Sequence, residues 1–175
     1  MITQDRLKEL LRYCKDSGVF SWRINRKGGV KSGQCCSCVD SAGYVVIRVD
    51  GRLYRGHRLA WLHEHGVFPN ELIDHINGIK SDNRILNLRL CTKSQNAQNA
   101  KPHIDNTSGF KGVSFCRNTK KWVADICVNG SSHRLGYFVD IEDAKRARAS
   151  AELELHPFSK ATYQAKRLEL EKSRG

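Results

Sequence analysis

Apolar residues recur at helical spacing at Leu7, Leu10 and Leu11, with Thr3 placed to cap, so the pattern predicts an amphipathic helix over Thr3 to Tyr13, ended by Asp16-Ser17-Gly18. Val19 to Ile24 alternates as a strand with Trp22 toward a core. Tyr44 to Val49 and Arg52 to Tyr54 are β-rich arms on either side of Asp50-Gly51, a pair suited to the positive φ angles of a type I′ hairpin turn. His57 to His65, carrying Leu59, Ala60, Trp61 and Leu62, predicts a short helix stopped by Gly66 and Pro69. Two short strands follow, Glu71 to His75 and Leu88 to Cys91, separated by a polar loop rich in Asn, Asp and Gly. Thr92-Lys93-Ser94-Gln95 has capping-box spacing, so a helix starts at Lys93 with Asn96 in its first turn. The unit is β-β-α.

Beyond Pro102 the pattern changes. Residues 102–108 are polar and turn-forming, and serve as a linker. Phe110 to Phe115 predicts a strand, Trp122 to Val128 a second with Trp122, Ala124, Ile126 and Val128 on one face, and His133 to Phe138 a third, with Asn129-Gly130 as the hairpin turn. Asp140 caps a helix whose Ile141, Ala144, Ala147, Ala151 and Leu155 lie along one side. Ser159 to Lys172 is charged and helical in composition. The expected fold class is α+β: a first domain over 1–101 with its motif core at 57–100, a linker at 102–108, three antiparallel strands plus a helix over 109–157, and a charged helical tail over 158–175.

Composition narrows the partner. Lys and Arg number 30 against 18 Asp and Glu, a formal net charge of +12, which points to a polyanion. There is no apolar run long enough to cross a membrane and no signal-peptide pattern after Met1, so a cytoplasmic protein is expected, with double-stranded DNA rather than a membrane as its partner. Seven cysteines without a secretory signal imply reduced thiols. Cys35-Cys36-Ser37-Cys38 holds one C-x-x-C, but no second half follows at a finger-like spacing, which argues against structural zinc. Arg23, Arg26, Lys27 and Lys31 form a basic loop around Gly28-Gly29.

The candidate chemistry sits in the β-β-α unit. The oxygens of the Asp74 carboxylate and the Asn96 carboxamide suit a hard divalent cation, Mg²⁺ or Mn²⁺. An imidazole titrating near neutral pH at His75 can take a proton from an attacking water. Asp74 and His75 are adjacent, so on a regular strand they face opposite ways, and the strand must end or distort there if both serve one site. Asn77, Asn83 and Asn99 are expected to be turn residues.

Residues 57–99 resemble the HNH endonucleases of the phage and homing-endonuclease type, through His57-Arg58-Leu59-Ala60-Trp61, Asp74-His75, Asn87-Leu88-Arg89 and Asn96. The resemblance implies a ββα-metal fold with His75 as general base, Asn87 bracing the loop and orienting His75, and Asn96 in a third, metal-binding position often filled by His, an H-N-N variant. Arg58 and Arg89 are candidate DNA contacts beside the motif, Arg58 being equally suited to bracing the nuclease hairpin. Residues 108–157 resemble the AP2 DNA-binding domain through Gly109 to Val113, Trp122 to Ile126 and Leu135 to Phe138, which implies contacts to DNA from Lys111, Arg117, Lys120, Lys121 and Arg134. The strand after Gly112-Val113 has Ser114, Phe115 and Cys116 where that family carries arginines, so no base preference carries over. The expected function is metal-dependent, site-directed strand nicking by a monomer of phage or mobile-element origin, since no heptad seam is present near Leu168 and Leu170. The alternatives are a sequence-specific DNA-binding regulator with an inactive nuclease half, and a non-specific nuclease.

Overall fold

The side-chain oxygen of Thr3 accepts the amide of Arg6 and opens helix α1 (Gln4–Leu10), which buries Leu7 and Leu10. The helix ends three residues earlier than its apolar pattern suggests. Leu11 and Tyr13 are buried with Arg12 exposed between them, a period of two, so the chain turns directly into strand β1 (Leu11–Tyr13), antiparallel to β2 (Phe20–Trp22). The expected strand over Val19 to Ile24 is thereby trimmed to its three central residues. In the computed structural model residues 1–100 and 102–172 are described; Lys101, the expected last residue of the nuclease domain, the side chain of Leu170 and residues 173–175 of the expected tail lie outside them. The chain divides into two compact units, Met1–Thr92 and Lys93–Gly175.

In the first unit, β3 (Cys38–Val39), β4 (Val45–Val49) and β5 (Arg52–Arg55) form an antiparallel sheet in that order. Asp50 and Gly51 take φ of 46° and 78°, the type I′ conformation expected of the pair. Helix α2 (Gly56–His65) follows without a loop and stops at Gly66 in the left-handed conformation, φ 82°. Strands β6 (Leu72–His75) and β7 (Leu88–Cys91) pair antiparallel, with Asp74 opposite Arg89 and His75 opposite Leu88. One core joins these pieces: Leu7, Leu11, Phe20, Ile47 and Leu59 are fully buried together, each stabilising the fold by about 1.5–3 kcal/mol relative to exposure.

The second unit begins with α3 (Lys93–Gln98), at the residue the capping pattern marks. Strands β8 (Val113–Cys116), β9 (Lys121–Val128) and β10 (Ser131–Phe138) form a sheet ordered β10-β9-β8, and α4 (Ile141–Leu155), capped by Asp140, packs across it. The first strand starts at Val113 rather than Phe110. Gly109 and Gly112 take φ of 67° and 77°, and Ser108 Oγ bridges the carbonyls of Phe110 and Val113, so 109–112 is a turn, not pleated chain. Val113, Ala124 and Ala144 form the buried centre of a core against which Phe110, Trp122, Leu135, Phe138 and Ile141 pack. Inside the helix face sits Arg148, buried and paired with Glu152 at 3.0 Å, a feature that the alanine stripe conceals. Leu155, expected on that face, is exposed. Helix α5 (Lys160–Lys172) follows, tied back by Thr162 Oγ1 to the carbonyl of His156 at 2.9 Å. Among the described residues no helix is long and apolar enough to cross a membrane.

Candidate active site

His75 is the last residue of β6, and the polar loop closes around it. The Gly78 amide donates to the His75 carbonyl at 2.8 Å, and the Ile76 amide to the Asn87 carbonyl at 2.9 Å. Asn87, buried at the end of a single 3₁₀ turn (Ile85–Asn87), braces the loop from both sides: its Oδ1 accepts the Asn77 amide at 3.0 Å and its Nδ2 donates to the Asp82 carbonyl at 2.8 Å. Asn77 behaves as the expected Asx turn, its Oδ1 accepting the Ile79 amide, while its Nδ2 donates to Asp82. Arg84 grips Asp82, and those bonds hold the Asp82 carboxyl below its usual range.

Asn83 is not a turn residue in the ordinary sense. It is 1% exposed, its Oδ1 lies 3.1 Å from His75 Nε2, and its backbone carbonyl accepts the Tyr13 hydroxyl at 2.7 Å. The His75 ring is 4% exposed and meets the ring of His57 edge-on, centroids 5.2 Å apart. Tyr44 lies against both rings, at 5.5 Å from His57 and 6.1 Å from His75. Arg55 and Lys80 each lie over the Tyr44 ring, at 4.4 and 4.7 Å, so two cations border the histidine pair.

Burial sets the charge state here. Desolvation pulls the His75 pKa below its ordinary value, against the opposing pull of the Asn83 bond and of Asp74, so His75 does not titrate at the neutral-pH position its residue type suggests. His57 is pushed down to about 3, first by burial and then by neighbouring His75, Arg58 and Arg55, and is a neutral ring. In the sequence His57 opens the first of the segments that carry the HNH resemblance, but its neighbourhood to His75 depends on tertiary packing, which no local pattern records.

Asp74, one residue before His75, has a different partner. Arg89, directly across the ladder, donates from Nε and Nη2 to Asp74 Oδ2 at 3.1 and 2.8 Å. The ladder stays in register through Asp74 and the strand ends at His75, with Asp74 Oδ2 on Arg89 and His75 Nε2 at Asn83 Oδ1. Arg58, the other basic candidate of this unit, donates to the Pro69 carbonyl at 3.2 Å and lies over Phe68.

In the second unit, Asn96 lies on α3. Lys111 donates to the carbonyls of Ala97 and Gln98 at 2.6 and 3.1 Å, closing the end of that helix, and burial lowers its pKa. Arg134 donates to Asp125 at 2.8 Å and to the Tyr137 hydroxyl at 2.6 Å on the exposed side of the sheet. Arg117, Lys120 and Lys121 are exposed around the β8–β9 turn, where Lys120 takes a φ of 53°. All seven cysteines are free; Cys35 lies 3.2 Å from the Ser37 hydroxyl and Cys38 points at the Val46 carbonyl.

Residues 54–98 match a protein-family model described as HNH endonuclease. Protein 3.8 of Escherichia phage T7 is 34% identical over 80 residues, covering 45% of this chain and 66% of that relative, so the chain spans just under two thirds of the relative's length. No solved structure matches. The matched segment runs from within β5 through α3 and contains His57, Asp74, His75, Asn83, Asn87 and Asn96. Over residues 54–98, therefore, the chain carries an HNH endonuclease domain.

Proposed function

We propose that the chain is a metal-dependent DNA endonuclease in which His75 takes the proton of the attacking water. The observation that carries this reading is His75 itself: a buried imidazole at the end of a strand, within hydrogen-bonding distance of Asn83 through one ring nitrogen, with its pKa lowered by desolvation, inside the segment that matches the nuclease family. Asp74 and, by the motif, Asn96 are the residues that would hold a divalent cation, and their oxygen donors fit Mg²⁺ or Mn²⁺. When bound, such a cation supplies neutralisation of the scissile phosphate and of the departing 3′-oxygen. Arg89 offsets the charge of the partly buried Asp74 carboxylate, and Asn87 holds the loop that carries the backbone past His75. Products with 5′-phosphate and 3′-hydroxyl ends follow from this chemistry.

Target choice belongs to the second unit in this proposal. Its three-stranded antiparallel sheet backed by a helix is the arrangement that the AP2-like reading requires, and Arg117, Lys120, Lys121 and Arg134 are the basic side chains at or near its exposed face. Lys111 is a weaker candidate because its ammonium is engaged by α3. With one nuclease motif per chain, a monomer cuts one strand, in the manner of a site-directed homing enzyme. Incubation with Mg²⁺ and a randomised plasmid library, followed by mapping of every 5′ end, tests the proposal. Clustered ends support it, scattered ends indicate a non-specific nuclease, and an absence of ends a DNA-binding regulator.

A further inference from the structure

Asn83 lies outside the residues that the motif assigns to chemistry, yet the first unit is built tightly around it. Its backbone carbonyl is held by the hydroxyl of Tyr13, seventy residues away in sequence. A Cβ at Gly18 would stand 2.6 Å from the Asn83 carbonyl carbon, and one at Gly56 would stand 2.7 Å from its Nδ2, so at two separate places a side chain is missing where Asn83 needs the room. Gly18 also has φ of +71°, a conformation glycine adopts without strain. The Asn83 side chain is fully buried, and among the described residues the hydrogen bond it makes is to the ring of His75; its Nδ2 has no partner there. Leaving a buried amide nitrogen unpaired costs free energy. That cost is sustained while Oδ1 is kept on His75.

The chemistry of that contact fixes a proton. A carboxamide oxygen only accepts, so the 3.1 Å approach of Asn83 Oδ1 to His75 Nε2 is a hydrogen bond only when Nε2 carries the hydrogen. The ring's lone pair is then on Nδ1. Asn87, by contrast, spends both ends of its amide on the loop backbone.

We propose that Asn83 is a positioning residue for the nuclease reaction, which selects the Nε2–H tautomer of His75 and fixes its ring so that Nδ1 is the nitrogen that accepts the proton of water. The part about water rests on the function proposed above; the part about the tautomer does not. Both are tested on the full chain. Nitrogen-15 NMR of the histidine rings reads the tautomer of His75 directly, with His75→Gln used to assign its signals. The expected result is a single Nε2–H form in the wild type, mixed tautomers in Asn83→Ala, and the single form again in Asn83→Asp, which keeps the accepting oxygen and loses an NH₂ that bonds to nothing. In cleavage, Asn83→Ala should lower kcat about 10- to 100-fold with KM for DNA unchanged, and Asn83→Asp should recover most of the loss. An Nδ1–H ring in the wild type, or an aspartate variant no better than alanine in both tautomer and kcat, overturns the proposal. If Asn83→Ala does not fold, the wild-type spectrum and the aspartate variant still decide it. A His75→Ala protein that cleaves at the wild-type rate would overturn the base assignment instead, and the spectra would still report whether Asn83 sets the tautomer.

Discussion

Arg89 places two donors, Nε and Nη2, on the same oxygen of Asp74, at 3.1 and 2.8 Å, across the two-stranded ladder that ends at His75. Their side chains are 19% and 11% exposed, so the pair is shielded from solvent without being sealed from it. Arg89→Ala withdraws this counter-charge and should destabilise the apo protein by about 1–3 kcal/mol, less than the cost of breaking a fully buried pair. The double variant Asp74→Asn/Arg89→Ala should be more stable than Arg89→Ala alone. Urea denaturation of the four proteins of the cycle measures this, and additive effects would show that the two side chains do not interact. Added Mg²⁺ should recover more stability in Arg89→Ala than in the wild type, because a cation can then take over the neutralising role.

His75→Ala should lower the cleavage rate by about 10² to 10⁴ while leaving DNA affinity close to that of the wild type. Because burial lowers the His75 pKa, its basic form persists to more acid pH than an ordinary histidine would allow. The acid limb of kcat against pH should therefore fall below the usual histidine midpoint of about 6.5. A limb at or above that value, or parallel loss of binding and cleavage in His75→Ala, would mean that the ring is architectural.

His57 gives a separate pH signature, in stability. Its folded pKa is about 3, well below that of the unfolded chain. The unfolded state therefore binds the extra proton first as pH falls. The contribution of the neutral ring is complete above about 6.5 and is lost progressively down to the folded value. His57→Phe keeps a ring beside His75 and Tyr44 and removes an Nδ1 that has no partner among the described residues, so it should cost little at pH 7. Between pH ~6.5 and ~4 its stability should decline less than that of the wild type; equal declines in urea midpoint would place the burden elsewhere.

Arg117, Lys120 and Lys121 are exposed, whereas Arg134 is already held by Asp125 and Tyr137. Replacing the first three with alanine should weaken DNA binding and reduce the slope of log K against log salt by about 0.9 for each phosphate that is no longer neutralised. Arg134→Ala should change site preference more than salt slope, because its guanidinium is fixed in orientation. Filter binding at several salt concentrations, on target and unrelated duplexes, separates the two effects. An unchanged slope in the triple variant would show that these side chains do not meet the DNA backbone.

Supercoiled plasmid should become open circle first, with linear DNA late or at high enzyme concentration. Direct linear product at low concentration, together with a dimer by sedimentation, would overturn single-strand cutting, since two scissile phosphates would then require two copies of the site arranged by symmetry.

Local patterns locate much of this architecture. The Asp50-Gly51 and Asn129-Gly130 turns, the stop at Gly66, and the start of α3 at Lys93 each depend on a few adjacent residues and appear where their chemistry puts them. Leu11 escapes because it extends a helical spacing and also begins an alternating one, and burial beside Phe20 decides in favour of the strand. Asp74, His75 and Asn87 are legible as a spaced set. Asn83 is not, since an asparagine in a polar loop has the composition of a turn, and His57, though it opens the resembling segment, gives no sign in the sequence of its contact with His75. Their significance comes from contacts between residues 8 and 18 positions apart. Arg148 is hidden for the opposite reason, lying on an otherwise apolar helix face where a charge is unexpected.

The bond from Tyr13 to the Asn83 carbonyl ties the nuclease loop to a strand that lies far upstream of the family-matched segment. Phe20, its ring 4.8 Å from that of Tyr13, and the cleft left by Gly18 complete that support. The consequence is one of portability. Residues 54–98 include the family-matched loop but not Tyr13 and Gly18, which support the backbone of Asn83, so the segment is not a self-contained cassette. A graft of the matched segment onto another scaffold should therefore carry the first helix and strand with it, and substitutions at Tyr13 or Gly18 should disturb the loop around His75 although both lie outside the segment.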